Sequence, residues 1–303
     1  ISNTIKPNMI IIADSGSTKT DWCVKDGNAT LAKVKTQGIN PFHMKEETIE
    51  MILLEQLIPA LKEALSSINM DGIGEGKATR KAFDADGWLD NIEAIHYYGA
   101  GCTPALCPVM QRIIGKAFPK VKDIEVGSDM LGAAKALCGE SEGIACILGT
   151  GANSCLYDGK KIVSNVSPMS YILGDEGSGA VIGKTFVSDL YKGYHRDFIP
   201  IFERETGLSQ AEIIQKVYRE PMANRFLASL STFIAQHIND NAWIDDMVVE
   251  CFRLFFRRNV SHYNRPDLPV SFVGSIAFYY KNQLERAARL EGYTIGKIMK
   301  APL

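Results

Sequence analysis

The stretch IIIADSGSTKTDWCVKDG, Ile10 to Gly27, decides how the rest of the chain is read. Four apolar residues run directly into Asp14. A Gly/Ser/Thr cluster and Lys19 follow, and a second short apolar run closes on Asp26-Gly27. A short, β-branched-rich run bounded by turn residues, Met9–Ala13, reads as a buried strand, with Asp21–Lys25 as a second one. An acid at the end of a buried strand, backed by a tight polar hairpin, is either a surface turn or a loop built to hold phosphate and a metal ion. Backbone amides in a Gly/Ser-rich hairpin can converge on an anion. The hydroxyls of Ser15, Ser17 and Thr18 add donors. Asp14 can hold Mg2+ directly or through water, because magnesium keeps several waters and takes few protein carboxylates. Lys19 either faces phosphate or is only solvated.

The opening pattern returns later in the chain. Gly143–Leu148 is an apolar strand, Gly149-Thr150-Gly151 a turn, Ala152–Tyr157 a strand, and Asp158-Gly159 closes it. Strand, Gly/Thr hairpin, strand, Asp-Gly thus occurs twice, at a period of about half the chain, which marks a duplicated domain rather than a solenoid. Two such hairpins facing each other across a cleft would grip the phosphates of one nucleotide from both sides.

Between and beyond these hairpins, strands alternate with helices. A helix runs from about Glu46 to Ser66, with a break near Pro59. Asp71–Asp90, rich in Gly, Asp and Lys, reads as an exposed loop. Glu93–Tyr98 is a strand ending in Gly99-Ala100-Gly101, and a helix covers roughly Pro104–Ala117. Pro119 marks a domain boundary. Asp123–Val126 is a strand, followed by Gly127-Ser128-Asp129 and the small-residue helix MLGAAKALCG. Glu176 to about Asn259 is mostly helical. Pro269–Val273 is a strand, Gly274-Ser275 a turn, Tyr279–Gly292 a helix and Tyr293–Met299 a strand. The aromatic-rich stretch around Phe252–Phe256 reads as helix core. Strands alternating with helices in two similar halves indicate an α/β protein with a cleft between lobes.

Composition narrows the function classes. The 303 residues suffice for two domains, and the formal charge of -2 comes without any block of like charge. No nucleic-acid stripe or polybasic membrane segment stands out. Seven scattered cysteines form no CxxC pair and sit largely in apolar runs, which points to buried thiols in a reducing compartment. The apolar run at Met9–Ala13 is too short for a signal peptide or a membrane span. Ile1–Asn8 precede the first methionine, Met9, and read as a leader. The five histidines show no ligand spacing.

Other positions carry two readings each. Asp129 follows a strand and Gly127-Ser128, where a strand-end carboxylate projects into a cleft. It equally suits the N-cap of the helix that follows. Asp175 and Glu176, in Gly174-Asp-Glu-Gly-Ser-Gly179, either meet a ligand or favour the positive end of the next helix. For Glu176 the choice lies between a place behind the metal and a helix start. Asn40 sits in Gly38-Ile39-Asn40-Pro41, a turn signature in its own right.

Seven ordered motifs together resemble the actin/hexokinase/Hsp70 ATPase superfold and, within it, the BadF/BadG/BcrA/BcrD ATPase family, most closely its N-acetylglucosamine kinase branch. They are DSGSTKTDW, GINPF, YYGAG, VGSDMLGAA, ILGTGANS, LGDEGSG and FVGSIA, and the resemblance runs from Met9 to about Pro302. The resemblance implies two RNase H-like (actin-like ATPase) domains, each a mixed five-stranded sheet with flanking helices, with a cleft between them. Residues 9–118 would form the first domain, and 119–303 the second, with a helical insertion. It implies that Asp14 organises Mg2+ and that Gly16, Ser17, Thr18, Gly149, Thr150 and Gly151 line the phosphates of ATP. Gly274 and Ser275 would lie against the adenosine, Asp129 would be the general base, and Asn40, Asn153 and Asp175 would bond sugar hydroxyls. The implied protein is a cytoplasmic, ATP-dependent kinase of N-acetylglucosamine or a related amino sugar, acting on a primary hydroxyl. It would use ATP and Mg2+, with neither nucleic acid nor membrane as partner; a homodimer is compatible. One departure stands out: a glycine- and tryptophan-containing segment typical of the branch is replaced by SPMSYIL, Ser167–Leu173.

Three rivals rank lower. Gly177–Thr185, GSGAVIGKT, looks like a P-loop, but a Walker A motif needs glycine where Ser178 stands. Its glycines read instead as a helix start with small residues for close packing. Related ATP-driven activators of CoA-ester dehydratases or reductases bridge an iron–sulfur cluster through cysteines, one of them close to the position of Asp129, where this chain has Asp129-Met130-Leu131-Gly132. A filament- or chaperone-type actin-like ATPase has no need of the polar set Asn40, Asn153, Asp175 and Asp129.

Overall fold

The run MIIIADS forms β1 (Met9–Ser15), and its alternation of buried and half-buried residues follows the period of two that a pleated strand imposes. Met9, Ile11, Ala13 and Ser15 are fully buried on one face, while Ile10, Ile12 and Asp14 occupy the other. The computed structural model describes residues 8–16, 19–66 and 87–302. Within them the chain divides into two compact units, one running to Gly132 and the other from Ala133 to Pro302.

In the first unit, β1 pairs antiparallel with β2 (Lys19–Asp26), and β2 pairs antiparallel with β3 (Ala29–Gln37). On its other side β1 runs parallel to β4 (Ile92–Gly99), which runs parallel to β5 (Asp123–Ser128). The order is β3-β2-β1-β4-β5. Helices α1 (Glu46–Met51), α2 (Ile58–Ser66) and α3 (Cys107–Ala117) pack on this sheet and contribute Ile49, Leu61, Ile113 and Ile114 to one core. α4 (Asp129–Cys138) starts where β5 ends.

The second unit repeats the plan. β6 (Glu142–Leu148), β7 (Ala152–Asp158) and β8 (Ile162–Val166) form an antiparallel meander. β9 (Val270–Val273) and β10 (Ile295–Met299) add parallel strands on the far side of β6, giving β10-β9-β6-β7-β8. Each sheet is therefore a mixed five-stranded sheet with its hairpin strand at the centre, as the duplicated pattern implies. The helical stretch after β8 comprises α5 (Ser170–Leu173), α6 (Gly179–Tyr191), α7 (Ile199–Thr206), α8 (Gln210–Tyr218), α9 (Ala223–Ser229), α10 (Ser231–His237) and α11 (Ala242–Arg258). α12 (Ser275–Tyr279) and α13 (Lys281–Leu290) stand between β9 and β10. Phe252, Phe255 and Phe256 are completely buried, as helix-core residues should be. All seven cysteines are free thiols. Among the described residues no helix is long and apolar enough to cross a membrane.

Several expectations change. β5 pairs with β4, so the first unit continues to Gly132, past the boundary read at Pro119. The helix does not break near Pro59. A π-helical turn over Ile52–Leu57 leads into α2, and a widened turn is one way to accommodate a ring that removes a hydrogen bond and crowds the preceding turn. Of the loop read at Asp71–Asp90, residues 71–86 lie outside the described residues. Trp88 is not exposed but buried, in a 3-10 turn over Trp88–Asn91. β3 and β8 carry interspersed polar residues and little burial, which blurs their apolar signal in the sequence.

The glycines of the false P-loop have a packing role, as the sequence suggests. A Cβ on Gly183 would collide with the carbonyl oxygen of Leu227, so α6 and α9 meet backbone to backbone. Gly183→Ala gains about 1 kcal/mol of helix propensity but overpacks this contact at a cost of about 1–3 kcal/mol. Because the obstacle is backbone rather than a movable side chain, the loss wins. The variant should unfold at lower urea; an unchanged midpoint would mean the helices move apart freely.

Candidate active site

The hairpin between β1 and β2 turns at Gly16, whose N–H donates to the Lys19 carbonyl at 2.9 Å. Ser17 and Thr18 lie outside the described residues. Asp14 sits opposite Asp21 across β1–β2 and beside Tyr98 across β1–β4. Its carboxyl is pushed up to about 6, chiefly by burial, then by the negative charges of Asp129 and Asp21, with Lys19 pulling the other way. The Lys19 ammonium donates to Asp21 at 2.6 Å, so the hairpin's own cation is engaged beside Asp14 rather than on it.

The position of Asp129 follows from two packing facts. Tyr98 stands in register with Asp14, on the same face of the sheet. A Cβ on Gly132 would overlap the Tyr98 side chain, so only glycine lets the first turn of α4 settle onto that tyrosine. Asp129, the first residue of α4, is thereby carried toward Asp14, near enough for their charges to interact. The two sequence readings of Asp129 separate cleanly. Ser128 Oγ accepts from the Leu131 N–H at 3.2 Å and does the capping. Asp129 Oδ1 accepts the adjacent Met130 N–H at 2.8 Å. Burial holds the Asp129 carboxyl above the usual carboxylate range, with that amide opposing the shift.

Asn40 follows β3 in a tight turn, and its Oδ1 accepts from the Phe42 N–H at 3.0 Å. Its amide packs against Gly101, where φ is +78° and where a Cβ would collide with Oδ1. The GINPF and YYGAG motifs are therefore two sides of one contact. Ser15 differs from its expected part. Its hydroxyl is wholly buried and bonded to Thr20 and Ile39, so it does not offer a phosphate donor.

In the second unit, the hairpin Gly149-Thr150-Gly151 lies at the start of α6. The Gly179 N–H donates to Gly149 O at 2.8 Å and the Ala180 N–H to Thr150 O at 3.2 Å. The Thr150 side chain is exposed, and nothing stands within 4 Å of where a Gly149 Cβ would be. Gly274, at φ +128°, cannot carry a Cβ without striking the Leu148 carbonyl, so FVGSIA abuts the end of β6. Exposed Ser275 opens α12. Asp175, also left-handed at φ +54°, presses its carboxylate against Gly151. Burial raises it to about 6; the Ala152 N–H and Lys184 oppose the shift and Glu176 adds to it. Asn153 Oδ1 accepts from Ser154 N and Asn165 Nδ2, both at 2.9 Å.

Glu176 pairs with Arg258 at 2.9 Å and accepts from Asn259 Nδ2 at 3.2 Å, while Ser178 caps α6. In the segment Ser167–Leu173, Met169 and Ser170 are left-handed. Tyr171 and Ile172 line a cavity of about 740 Å³ with Lys184, Tyr191 and Ile213. Sequence reasoning missed Asp21, Tyr98, Gly132 and Ser128. Only the second aspartate of DSGSTKTD was a visible signal; the others act through register and packing.

Raised carboxyl values have a stability consequence. Asp175 binds its proton more tightly folded than unfolded, so its contribution is fully present below the unfolded value near 3.8 and lost as pH rises through about 6. Asp175→Asn tolerates the left-handed backbone and removes this loss. It should be more stable than wild type at pH 7.5, on the order of 1–3 kcal/mol, and should show a flatter pH dependence between 4 and 6 in urea unfolding. Equal slopes would mean the carboxylate is better solvated than its surroundings imply.

No protein-family model matches the chain, and no curated protein matches it. Among solved structures, the chain is similar to a "Putative N-acetylglucosamine Kinase" from Porphyromonas gingivalis, with 45% identity over 97% of this chain and 95% of that one and a TM-score of 0.84. A "Putative N-acetylglucosamine Kinase" from Chromobacterium violaceum is similar in fold alone, at 17% identity over 96% and 95% of the two chains, with a TM-score of 0.63. With that degree of identity across nearly all of both sequences, and with two mixed five-stranded sheets of one plan, the chain belongs to the family of the Porphyromonas gingivalis protein and has the two-domain, RNase H-like fold of the actin-like ATPases.

Proposed function

We propose that this protein is an ATP-dependent sugar kinase that transfers phosphate to a primary hydroxyl of N-acetylglucosamine or a close relative. The observation that carries the reading is Asp129: a carboxylate at a strand–helix junction, relieved of capping by Ser128, held above the usual range by burial and near enough to Asp14 to feel its charge. Kinship with a protein bearing the kinase name supports the substrate class.

Phosphoryl transfer asks the protein for alignment and charge neutralisation. A sugar hydroxyl is a poor nucleophile, and a carboxylate within hydrogen-bond reach takes its proton as the new bond forms. Asp129 fills that role, and its raised affinity for a proton makes it a better base than an exposed aspartate. Gly16, Ser17, Thr18, Lys19, Gly149, Thr150 and Gly151 are assigned to the phosphates, Gly274 and Ser275 to the adenosine, and Asn40, Asn153 and Asp175 to sugar hydroxyls. Asp14 suits Mg2+. Its carboxyl is destabilised by burial and two like charges, and among the described residues no set of three His, Cys, Asp or Glu side chains forms a cage. That matches a cation held by one carboxylate, water and phosphate oxygens. When bound, the ion supplies charge neutralisation on the transferring phosphoryl group.

The test is coupled ADP release with ATP and Mg2+ across hexoses and N-acetylated amino sugars, with a no-sugar control. Release only with N-acetylglucosamine or a near neighbour is expected; release without any sugar would instead make the protein an ATPase. Asp129→Asn should lower turnover by about 10²–10⁴-fold while nucleotide still binds in calorimetry. A variant turning over at the wild-type rate would remove Asp129 from the chemistry.

A further inference from the structure

Three of the quoted motifs, DSGSTKTDW, GINPF and YYGAG, meet at one buried side chain in the first unit. Ser15 lies one residue beyond Asp14 but on the opposite, core-facing side of β1, with no exposure at all. Its Oγ donates to the Ile39 carbonyl at 2.9 Å, accepts from the Ile39 N–H at 3.2 Å and shares a hydrogen bond with Thr20 Oγ1 at 2.7 Å. A hydroxyl has one hydrogen and two lone pairs, so this one has nothing left for a ligand. Tyr97, itself fully buried, donates from its hydroxyl to the same Ile39 carbonyl at 3.2 Å. The Ser15 backbone carbonyl accepts from the Ala100 N–H at 2.8 Å. Ile39 immediately precedes Asn40, whose amide rests on Gly101.

We infer that Ser15 is a positioning residue that ties the first phosphate hairpin to the acceptor-binding turn at Asn40, so that filling the hairpin sets the place of Asn40. The inference rests on the kinase reading above for the identity of the two ligands, but the linkage itself is a property of the fold. The chain of contacts is short: hairpin, Ser15 Oγ, both polar groups of Ile39, Asn40. It is also buried, where a missing partner leaves donors and acceptors unpaired at a cost that exposed bonds do not carry. Ser15 and Tyr97 hold the Ile39 carbonyl from two different strands, β1 and β4, so the turn is braced by the central strand and by its parallel neighbour. A side chain that met phosphate directly would have to leave all three of its partners first.

The experiment compares Ser15→Ala, Ser15→Cys and Tyr97→Phe with wild type. In steady-state kinetics, Ser15→Ala should raise the KM for N-acetylglucosamine about tenfold, the scale of one lost buried hydrogen bond, and change the KM for ATP less than twofold. Ser15→Cys and Tyr97→Phe, each keeping part of the brace, should fall between. A rise confined to the ATP KM would make Ser15 a phosphate ligand and overturn the inference. So would equal losses in both constants that track a lowered melting temperature. Amide hydrogen exchange gives a readout independent of turnover. A non-hydrolysable ATP analogue with Mg2+ should slow exchange at Ile39 and Phe42 in wild type and not in Ser15→Ala. If no sugar is phosphorylated but that transmission is seen, the kinase reading fails and the linkage stands. If wild-type exchange at Ile39 and Phe42 is indifferent to the analogue, the linkage itself fails.

Discussion

A pleated strand must send successive side chains to opposite faces, and the site of this protein depends on that constraint at Asp14 and Ser15. The alternation of β1 places Ser15 in the core with Met9, Ile11 and Ala13, and Asp14 on the face where α4 lies. One face thereby gains a carboxylate that shares its surroundings with Asp129, and the other a hydroxyl that fixes Ile39. A slip of one residue in the register of β1 would exchange the two and leave an unpaired carboxylate in the core, which folding would not tolerate. The same geometry that closes the core therefore fixes which residue can meet a ligand.

Glycine supplies the second constraint. Gly132 lets α4 rest on Tyr98, Gly101 receives the Asn40 amide, Gly274 passes the Leu148 carbonyl, and Gly183 joins α6 to α9. Only Gly101 and Gly274 need a backbone conformation closed to other residues; at Gly132 and Gly183 the requirement is close approach. A motif rich in glycine is thus not automatically a ligand loop. In GSGAVIGKT the glycines serve helix packing, and in YYGAG one of them shapes the seat of a polar side chain.

The first hairpin gathers acidic charge. Asp14 feels the charges of Asp21 and Asp129, Lys19 and Lys35 both pair with Asp21, and burial lifts Asp14 and Asp129 above the ordinary carboxylate range. Carboxylates kept together without compensation cost stability, and such arrangements concentrate where chemistry is done. Asp175 repeats the theme in the second unit, in a left-handed backbone pressed against Gly151. Glu176, one residue on, pairs with Arg258 and accepts from Asn259, so adjacent acids of one motif have different surroundings.

The sequence by itself determined the α/β class, the duplicated hairpin, most strands and the identity of Asp14, Asp129 and Asp175 as carboxylates worth following. Those signals are local: an apolar run, a turn cluster and an acid at the junction are written in consecutive residues. Strands β3 and β8 were not legible, because their polar residues and sparse burial leave little apolar signature. Pro59 misled, since whether a proline breaks a helix depends on whether a neighbouring turn can widen. Only the tertiary structure decided that the Ser15 hydroxyl is buried and bonded to Ile39, that Ser128 caps α4 so that Asp129 need not, and that Glu176 belongs to a salt bridge. The physical reason is the same in each case: a polar side chain's role is set by which partners reach it across the fold, and the partners of Ser15, at Ile39 and Tyr97, and of Glu176, at Arg258, lie far away in sequence.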